Sequence, residues 1–170
     1  MGLPALPPTT PGHKKEEKLL TEYGFIRASD EVLSIRNKLA DQVIQALQRA
    51  GLPAFREGES GFQDQAGAVV HVEPDAETMS ASVSVGWRCS AGQLQSALED
   101  LTSGLTDTPA TRYPGTVGLH MQIPLIKILL SAGIIATPNN DNMNPSHVLI
   151  FGRTSDLPPE LRPTFLPPGT

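Results

Sequence analysis

The sequence predicts a single α+β domain: a mainly antiparallel sheet, amphipathic helices packed on one face, and extended proline-rich tails. Residues 30–50 carry apolar side chains three and four apart, and residues 80–89 alternate strictly between apolar and small or polar side chains. Both ends of the 170-residue chain are rich in its 16 prolines. We therefore expect tails at 1–15 and 154–170 and a globular domain at 16–153.

The stretch "ASDEVLSIRNKLADQVIQALQRAG" predicts the first long helix. Ser29 or Asp30 can cap its exposed amides, and Gly51 follows the last periodic residue, where helices commonly stop. Upstream, "HKKEEKLLTEYGF" predicts a short helix that ends at Gly24.

Two more helices follow in the second half of the chain. "SAGQLQSALEDLTSG" has an apolar stripe, and Ser90 with Gln93 fits a capping box. "LHMQIPLIKILLSAG" predicts a helix from about Gln122 to Ala132, because Pro124 is tolerated best in a first turn.

The clearest strand signal is "AVVHVEPDAETMSASVSVGWRC", which predicts a hairpin with its turn at Pro74 and Asp75. The alternation predicts that Val83, Val85 and Trp87 face the core and that Ser82, Ser84 and Arg88 face the other way. "LPAF", "IIATP" and "SHVLIFGR" predict three further strands.

One structural phrase occurs twice, in "VIQALQRAGLPAF" and "LIKILLSAGIIATP". Each is a helix, an Ala-Gly stop and a short strand. Such an order is how two-layer α+β domains are commonly built, so the repetition is explained without duplication, although duplication remains the alternative.

Charge and composition limit the classes of partner. The net charge of -5 argues against nonspecific nucleic-acid binding, which needs clustered Lys and Arg. The longest apolar run, near Ile123–Ile135, is too short and too interrupted to span a membrane. A lone Cys89 and an N-terminus without an apolar signal segment predict a cytoplasmic protein.

The predicted order of helix, three strands and helix from about Asp30 to Ser103 resembles that of a double-stranded RNA-binding domain. The second helix of that family opens with lysines that contact phosphates, whereas here it opens "AGQLQSALED" without Lys or Arg. The likeness is one of element order only, and it does not imply RNA binding.

Catalytic and metal motifs are not evident in the sequence. The pairing of apolar faces predicts that His71 and Cys89 lie on opposite sides of the sheet, so they would not form a dyad. The four histidines, which include His13, have no short ligand spacing, and no glycine-rich nucleotide loop is present, so we expect neither metal nor cofactor.

These observations favour a small binding or regulatory module that acts through contacts with a partner protein. Recognition groups concentrate on loops held by rigid elements, which points to the loops 56–67 and 137–145. The candidate binding residues are Arg56, Phe62, Asn140, Asp141 and Met143.

Two alternatives stay open. One is an enzyme whose site converges from Cys89, His120, Arg56 and Asp141, since catalytic groups need not be close in sequence. The other is a structural homo-oligomer formed through an unpaired sheet edge.

Overall fold

A computed structural model describes residues 25–78 and 80–161, and over these residues it confirms the α+β class. The described part has three α-helices, five strands and two short 3-10 helices. They are α1 (Asp30–Arg49), β1 (Ala54–Arg56), β2 (Gly67–Val72), β3 (Val83–Arg88), α2 (Ala91–Thr102), α3 (Pro109–Ser131), β4 (Ile134–Pro138), β5 (Val148–Arg153), and the 3-10 helices Thr154–Asp156 and Pro159–Leu161.

The five strands form one mixed sheet in the order β1-β2-β3-β5-β4. Three pairings are antiparallel, but β1 runs parallel to β2, with Ala54 opposite Ala68. The predicted, mainly antiparallel sheet is therefore corrected at this edge. The connection 57–66 carries the chain back along β1 before β2 begins, and Glu57 N donates to Val70 O at 3.0 Å beyond the end of β1.

The core lies between one face of the sheet and the helices α1 and α3. Val83 and Val85 are fully buried, and Trp87 packs against the same core, which confirms the predicted face of β3. The other fully buried side chains include Val43, Leu47, Val70, Leu125, Leu129, Val148 and Ile150. The helix α2 packs on α3.

The third helix begins well before the predicted Gln122. Thr108 caps it: its Oγ1 accepts from Thr111 N at 3.1 Å, while Thr111 Oγ1 accepts from Thr108 N at 3.0 Å. Pro109 occupies the first turn, and Pro114 and Pro124 both lie inside the helix. Interior prolines remove a backbone donor, but tertiary packing outweighs that cost here, so the first-turn interpretation of Pro124 was wrong.

The capping predictions had different outcomes at α1 and α2. Ser29 caps α1, because its Oγ accepts from Val32 N at 3.4 Å. Of the two candidates, Ser29 and Asp30, the cap is therefore Ser29. Ser90 makes no capping bond to the backbone of α2, because its hydroxyl instead donates to Gln93 Oε1 at 3.2 Å.

Both copies of the repeated phrase end their helix at a glycine in the left-handed region. The φ angle is +82° at Gly51 and +75° at Gly133, conformations that strongly favour glycine. The strands that follow are paired differently, since β1 joins its neighbour in parallel and β4 joins β5 antiparallel. The two units therefore share their local form but not their pairing.

The N-terminal tail, the helix predicted to end at Gly24, and residues 162–170 lie outside the described residues. The described part of the C-terminal tail, 154–161, forms two 3-10 helices where an extended chain was expected. Thr154 N donates to Gly133 O at 2.9 Å, which ties this segment to the domain. Within the described ranges, no helix combines the length and the apolar content needed to cross a membrane.

Candidate functional site

The sheet face opposite α1 and α3 carries the candidate site, and we call it the open face. Its central strands place His71 of β2 directly opposite Ser84 of β3, and Ser84 opposite Leu149 of β5. These three positions alternate with the core residues Val70, Val85 and Val148, so their side chains lie on the other side of the sheet.

Two histidines from distant parts of the chain stack on this face. The rings of His71 and His147 have centroids 5.1 Å apart and planes inclined by 19°. His147 precedes β5, and its carbonyl accepts from Asn139 N at 2.9 Å and from Gln122 Nε2 at 2.8 Å. These contacts with α3 and the end of β4 fix the backbone from which the ring extends.

The imidazole of His71 is oriented by a carboxylate. Its Nδ1 lies 2.7 Å from Glu57 Oε2, immediately after β1. The parallel pairing of β1 and β2 places these residues side by side. Because Nδ1 donates to the carboxylate, Nε2 is the nitrogen with a free lone pair whenever the His71 ring is neutral.

The second imidazole is held toward its neutral form. Burial lowers the pKa of His147 below its ordinary value of 6.5, the positive charge of His71 lowers it further, and Glu57 opposes the shift. At neutral pH the His147 ring is therefore uncharged and can accept a hydrogen bond.

A cleft of about 690 Å³ covers this region, and both loops favoured by the sequence contribute to it. Glu57 comes from the first loop, and Asn139, Asp141 and Asn144 come from the second. The rest of its polar lining includes Glu73, Ser82, Ser84 and the histidine pair.

A smaller pocket of about 250 Å³ adjoins the cleft. Glu57, His71 and His147 line both spaces and form the wall between them. The remaining lining of the small pocket is largely apolar: Val69, Gly86, Trp87, Arg88, Cys89, Leu94 and Pro114.

Of the five predicted binding residues, Asp141 lines the cleft. Its Oδ1 accepts from Met143 N at 3.0 Å, which shapes the loop. Asn140 and Met143 are exposed on the same loop but do not line the cleft.

The two predicted residues of the first loop have structural contacts. Arg56 Nη1 donates to Asn37 Oδ1 at 2.9 Å, and its Nη2 lies 2.8 Å from Asp41 Oδ1, so it ties β1 to α1. Phe62 stacks on Phe55 at a centroid distance of 5.5 Å. Neither residue lines the cleft.

The four residues of the predicted convergent enzyme site are not brought together. Arg56 faces α1, His120 is exposed on α3, Asp141 lines the cleft, and Cys89 is buried beside the small pocket. Burial raises the pKa of the Cys89 thiol, which disfavours the nucleophilic thiolate.

His71 and Cys89 nevertheless line the same small pocket. Trp87, which packs against the core, lines this pocket as well, so the shared lining does not place His71 and Cys89 on the same face of the sheet. The structure records no hydrogen bond between the two residues.

Across residues 25–78 and 80–161, no group of three His, Cys, Asp or Glu side chains is arranged to hold a metal ion. No protein family, curated protein or solved structure matches this chain.

Proposed function

We propose that this chain is a binding module that takes a short, positively charged segment of a partner protein into the cleft. The observation that carries this proposal is the charge of the lining. Three carboxylates, on Glu57, Glu73 and Asp141, line the cleft, and no Lys or Arg is among its described lining residues.

The three carboxylates retain free acceptor capacity for an incoming cation. One oxygen of Glu57 contacts His71, and Asp141 Oδ1 accepts one hydrogen bond from Met143 N. Among the residues that the structure describes, Glu73 accepts a single long bond, of 3.4 Å from Asp75 N. Since an ionised carboxylate has about four lone-pair sites, each can still receive an ammonium or guanidinium donor.

A peptide suits the rest of the cleft. The serine hydroxyls and asparagine amides supply donors and acceptors for a backbone, and the cleft volume of about 690 Å³ is within the usual range of ligand sites. The adjoining pocket offers space for a neighbouring apolar side chain. A cytoplasmic location for this module rests on the single Cys89 and remains part of the proposal.

The test is selection of random heptapeptides on phage against the full chain, followed by affinity measurement with synthetic peptides. We expect enrichment of Lys- and Arg-containing sequences. The double variant Glu73→Gln, Asp141→Asn should lose at least about tenfold in affinity, because hydrogen bonds to charged groups contribute about 1.5–3 kcal/mol each.

The matched control is Asp107→Asn, which also removes a carboxylate but lies outside the cleft, paired with Arg112 at 3.2 Å. It should bind the selected peptides like the parent. Selection without basic residues, or equal affinity of the double variant and the control, would refute the proposal.

A second candidate, an acyl hydrolase, is favoured by one observation. Glu57, His71 and Ser84 occur in the order carboxylate, imidazole, hydroxyl, with a 2.7 Å contact between the first two and direct cross-strand pairing of the last two. Opposed residues of an antiparallel pair have Cβ atoms about 5 Å apart. Ser84 and His71 are not hydrogen-bonded, so attack requires the hydroxyl to rotate toward Nε2.

In that reaction His71 Nε2 takes the Ser84 proton as Oγ bonds to the acyl carbon, and the proton then passes to the leaving group. Water, deprotonated by the same nitrogen, releases the acid and restores Ser84. The test is release of nitrophenolate from p-nitrophenyl acetate. The parent should exceed Ser84→Ala by more than tenfold, and equal rates would eliminate this candidate.

A further inference from the structure

A second concave site lies between α1 and the end of β5, where it meets the cleft at Ser82, and we call it the basic groove. Its volume is about 570 Å³. Three cationic side chains line it: Arg36 and Lys38 from α1 and Arg153 from β5. Against the single carboxylate of Asp156 they leave two positive charges, in a chain whose net charge is -5.

Arg36 is a buried and fixed side chain of this groove rather than a mobile one at the surface. It is nine-tenths buried, and its Nη1 donates to the carbonyls of Glu73 and Asp75 at 2.6 Å each. These bonds fix the plane of the guanidinium. Both bonds come from Nη1.

Arg153 supplies an independent indication of a missing ligand. Its Nε is buried and has no hydrogen-bond partner among the described residues. Asp156 does not neutralise the guanidinium by a salt bridge; instead its Oδ2 accepts from the backbone N of Arg153 at 3.2 Å. A buried charged donor without a partner destabilises the folded state, unless an anion occupies the groove.

The rim and the remaining polar groups define the ligand further. Ser82 and Gln42 add neutral hydrogen-bonding groups. Phe151 is 56% exposed and Ile35 is 66% exposed, both beside the cations. An occupant with an anionic head and an aromatic or apolar body would satisfy both parts.

We propose that the basic groove binds a phosphate monoester attached to an aromatic or apolar group. Guanidinium groups bind phosphate oxygens through paired N–H donors, and a phosphate monoester carries about 1.5–2 negative charges at pH 7, which matches the groove. A carboxylate carries only one. The basic groove shares Ser82 with the acidic cleft, but its charged lining carries an excess of cations, whereas the charged lining of the cleft is acidic.

The probe is phenyl phosphate, and the control ligands are inorganic phosphate and phenol, which each carry one of its two parts. Binding to the full chain is measured by calorimetry and by the shift in melting temperature. We expect phenyl phosphate to bind more tightly than inorganic phosphate and phenol not to bind. Higher salt should weaken the interaction, because screening shortens the reach of the charges.

The variants are Arg153→Gln and Lys38→Gln, each expected to lose at least about tenfold in affinity. Lys127→Gln is the matched control, because this exposed lysine of α3 does not line the basic groove. Arg36 is left intact because its carbonyl contacts support the fold.

A second readout separates ligand binding from a structural role. Without phenyl phosphate, Arg153→Gln should melt no lower than the parent, since the Nε it removes has no partner. With phenyl phosphate, only the parent and Lys127→Gln should gain stability. Binding of phenyl phosphate no better than phenol, or unchanged affinity in Arg153→Gln, would overturn the proposal.

The source of the phosphate is resolved by comparing a phosphotyrosyl peptide with adenosine monophosphate in the same measurement. The variant Glu73→Gln, Asp141→Asn should bind phenyl phosphate like the parent. Loss of peptide binding in the cleft and loss of phosphate binding in the basic groove are therefore separable results.

Discussion

His147 lies across Gly86, and the imidazole occupies the space that a side chain would take. A Cβ placed on Gly86 would lie 2.8 Å from His147 Nε2, closer than real Cβ contacts allow. Because Gly86 has no side chain, the ring of His147 reaches over β3 and stacks on His71. Gly86 thus determines whether the two imidazoles of the open face meet.

Gly86→Ala should displace His147 and separate the stacked rings. We expect a loss of about 1–3 kcal/mol in the free energy of unfolding, typical of overpacking, measured by urea denaturation. Gly115→Ala is the control: no atom lies within 4 Å of its added Cβ, and inside α3 alanine should raise stability by about 0.5–1 kcal/mol. Equal effects of the two substitutions would contradict the packing at Gly86.

Val85→Asp should abolish cooperative unfolding. Val85 is fully buried, and an unpaired buried carboxylate costs several kcal/mol against a total stability of about 5–15 kcal/mol. The neighbouring Ser84→Asp places the same carboxylate in the polar cleft and should leave a sharp thermal transition. If Val85→Asp melts like Ser84→Asp, the assignment of sheet faces is wrong.

The sequence predicts those parts of the fold that depend on local periodicity. The alternation at 83–88 identifies β3 and its buried face, and the apolar periodicity of residues 30–50 identifies α1 as a helix. The buried face of α1 was predicted only in part: Val43 and Leu47 of the apolar stripe are buried, but Val32 and Ile35 are exposed. The start of α3 was missed because two interior prolines are tolerated by packing that no local pattern reveals. The parallel pairing of β1 was missed because a strand of three residues carries no information on direction.

The candidate site was harder to predict because its members come from separate elements. Glu57 meets His71 only through the parallel pairing of β1 with β2, and His147 arrives from the far side of β3. One signal was visible in the sequence. Residues 80–89 alternate between apolar and polar side chains, and Gly86 stands at a polar position of that alternation without any side chain. A strand glycine often marks a close approach by another group, here an imidazole.

Acidification should destabilise the protein partly through His147. Its pKa is lowered in the folded state by burial and by His71, with Glu57 opposing, so the unfolded chain binds the proton more readily. Stability from this group is complete above the unfolded pKa of about 6.5 and is lost as pH falls through the lower folded value. Folding free energies from pH 7.5 to 5 should fall less steeply in His147→Gln than in the parent; parallel curves would count against this role.

Arg56→Ala should weaken folding without weakening peptide binding in the cleft. The guanidinium bonds to Asn37 and Asp41 of α1, and it is partly exposed, so we expect a loss of about 1–2 kcal/mol in urea denaturation. Arg49→Ala, whose side chain makes a single long bond of 3.3 Å to Gln45 O, should lose less. A selective loss of peptide affinity in Arg56→Ala would restore Arg56 as a binding residue.

We expect residues 154–161 to contribute to the stability of the domain and residues 162–170 to contribute little. We expect removal of residues 162–170 to leave the melting temperature within a few degrees of the parent, since prolines without periodicity rarely bury much area. Removal of 154–170 should cost about 1–3 kcal/mol more, because Thr154 donates to Gly133 O from its backbone N at 2.9 Å and from its Oγ1 at 3.3 Å. Thr154→Val keeps the backbone bond and should show only a small part of that loss.

Equal melting temperatures for the two truncations would mean that the 3-10 helices after β5 contribute nothing to the stability of the domain. A large loss on removing 162–170 would instead assign a core contact to Phe165 or Leu166.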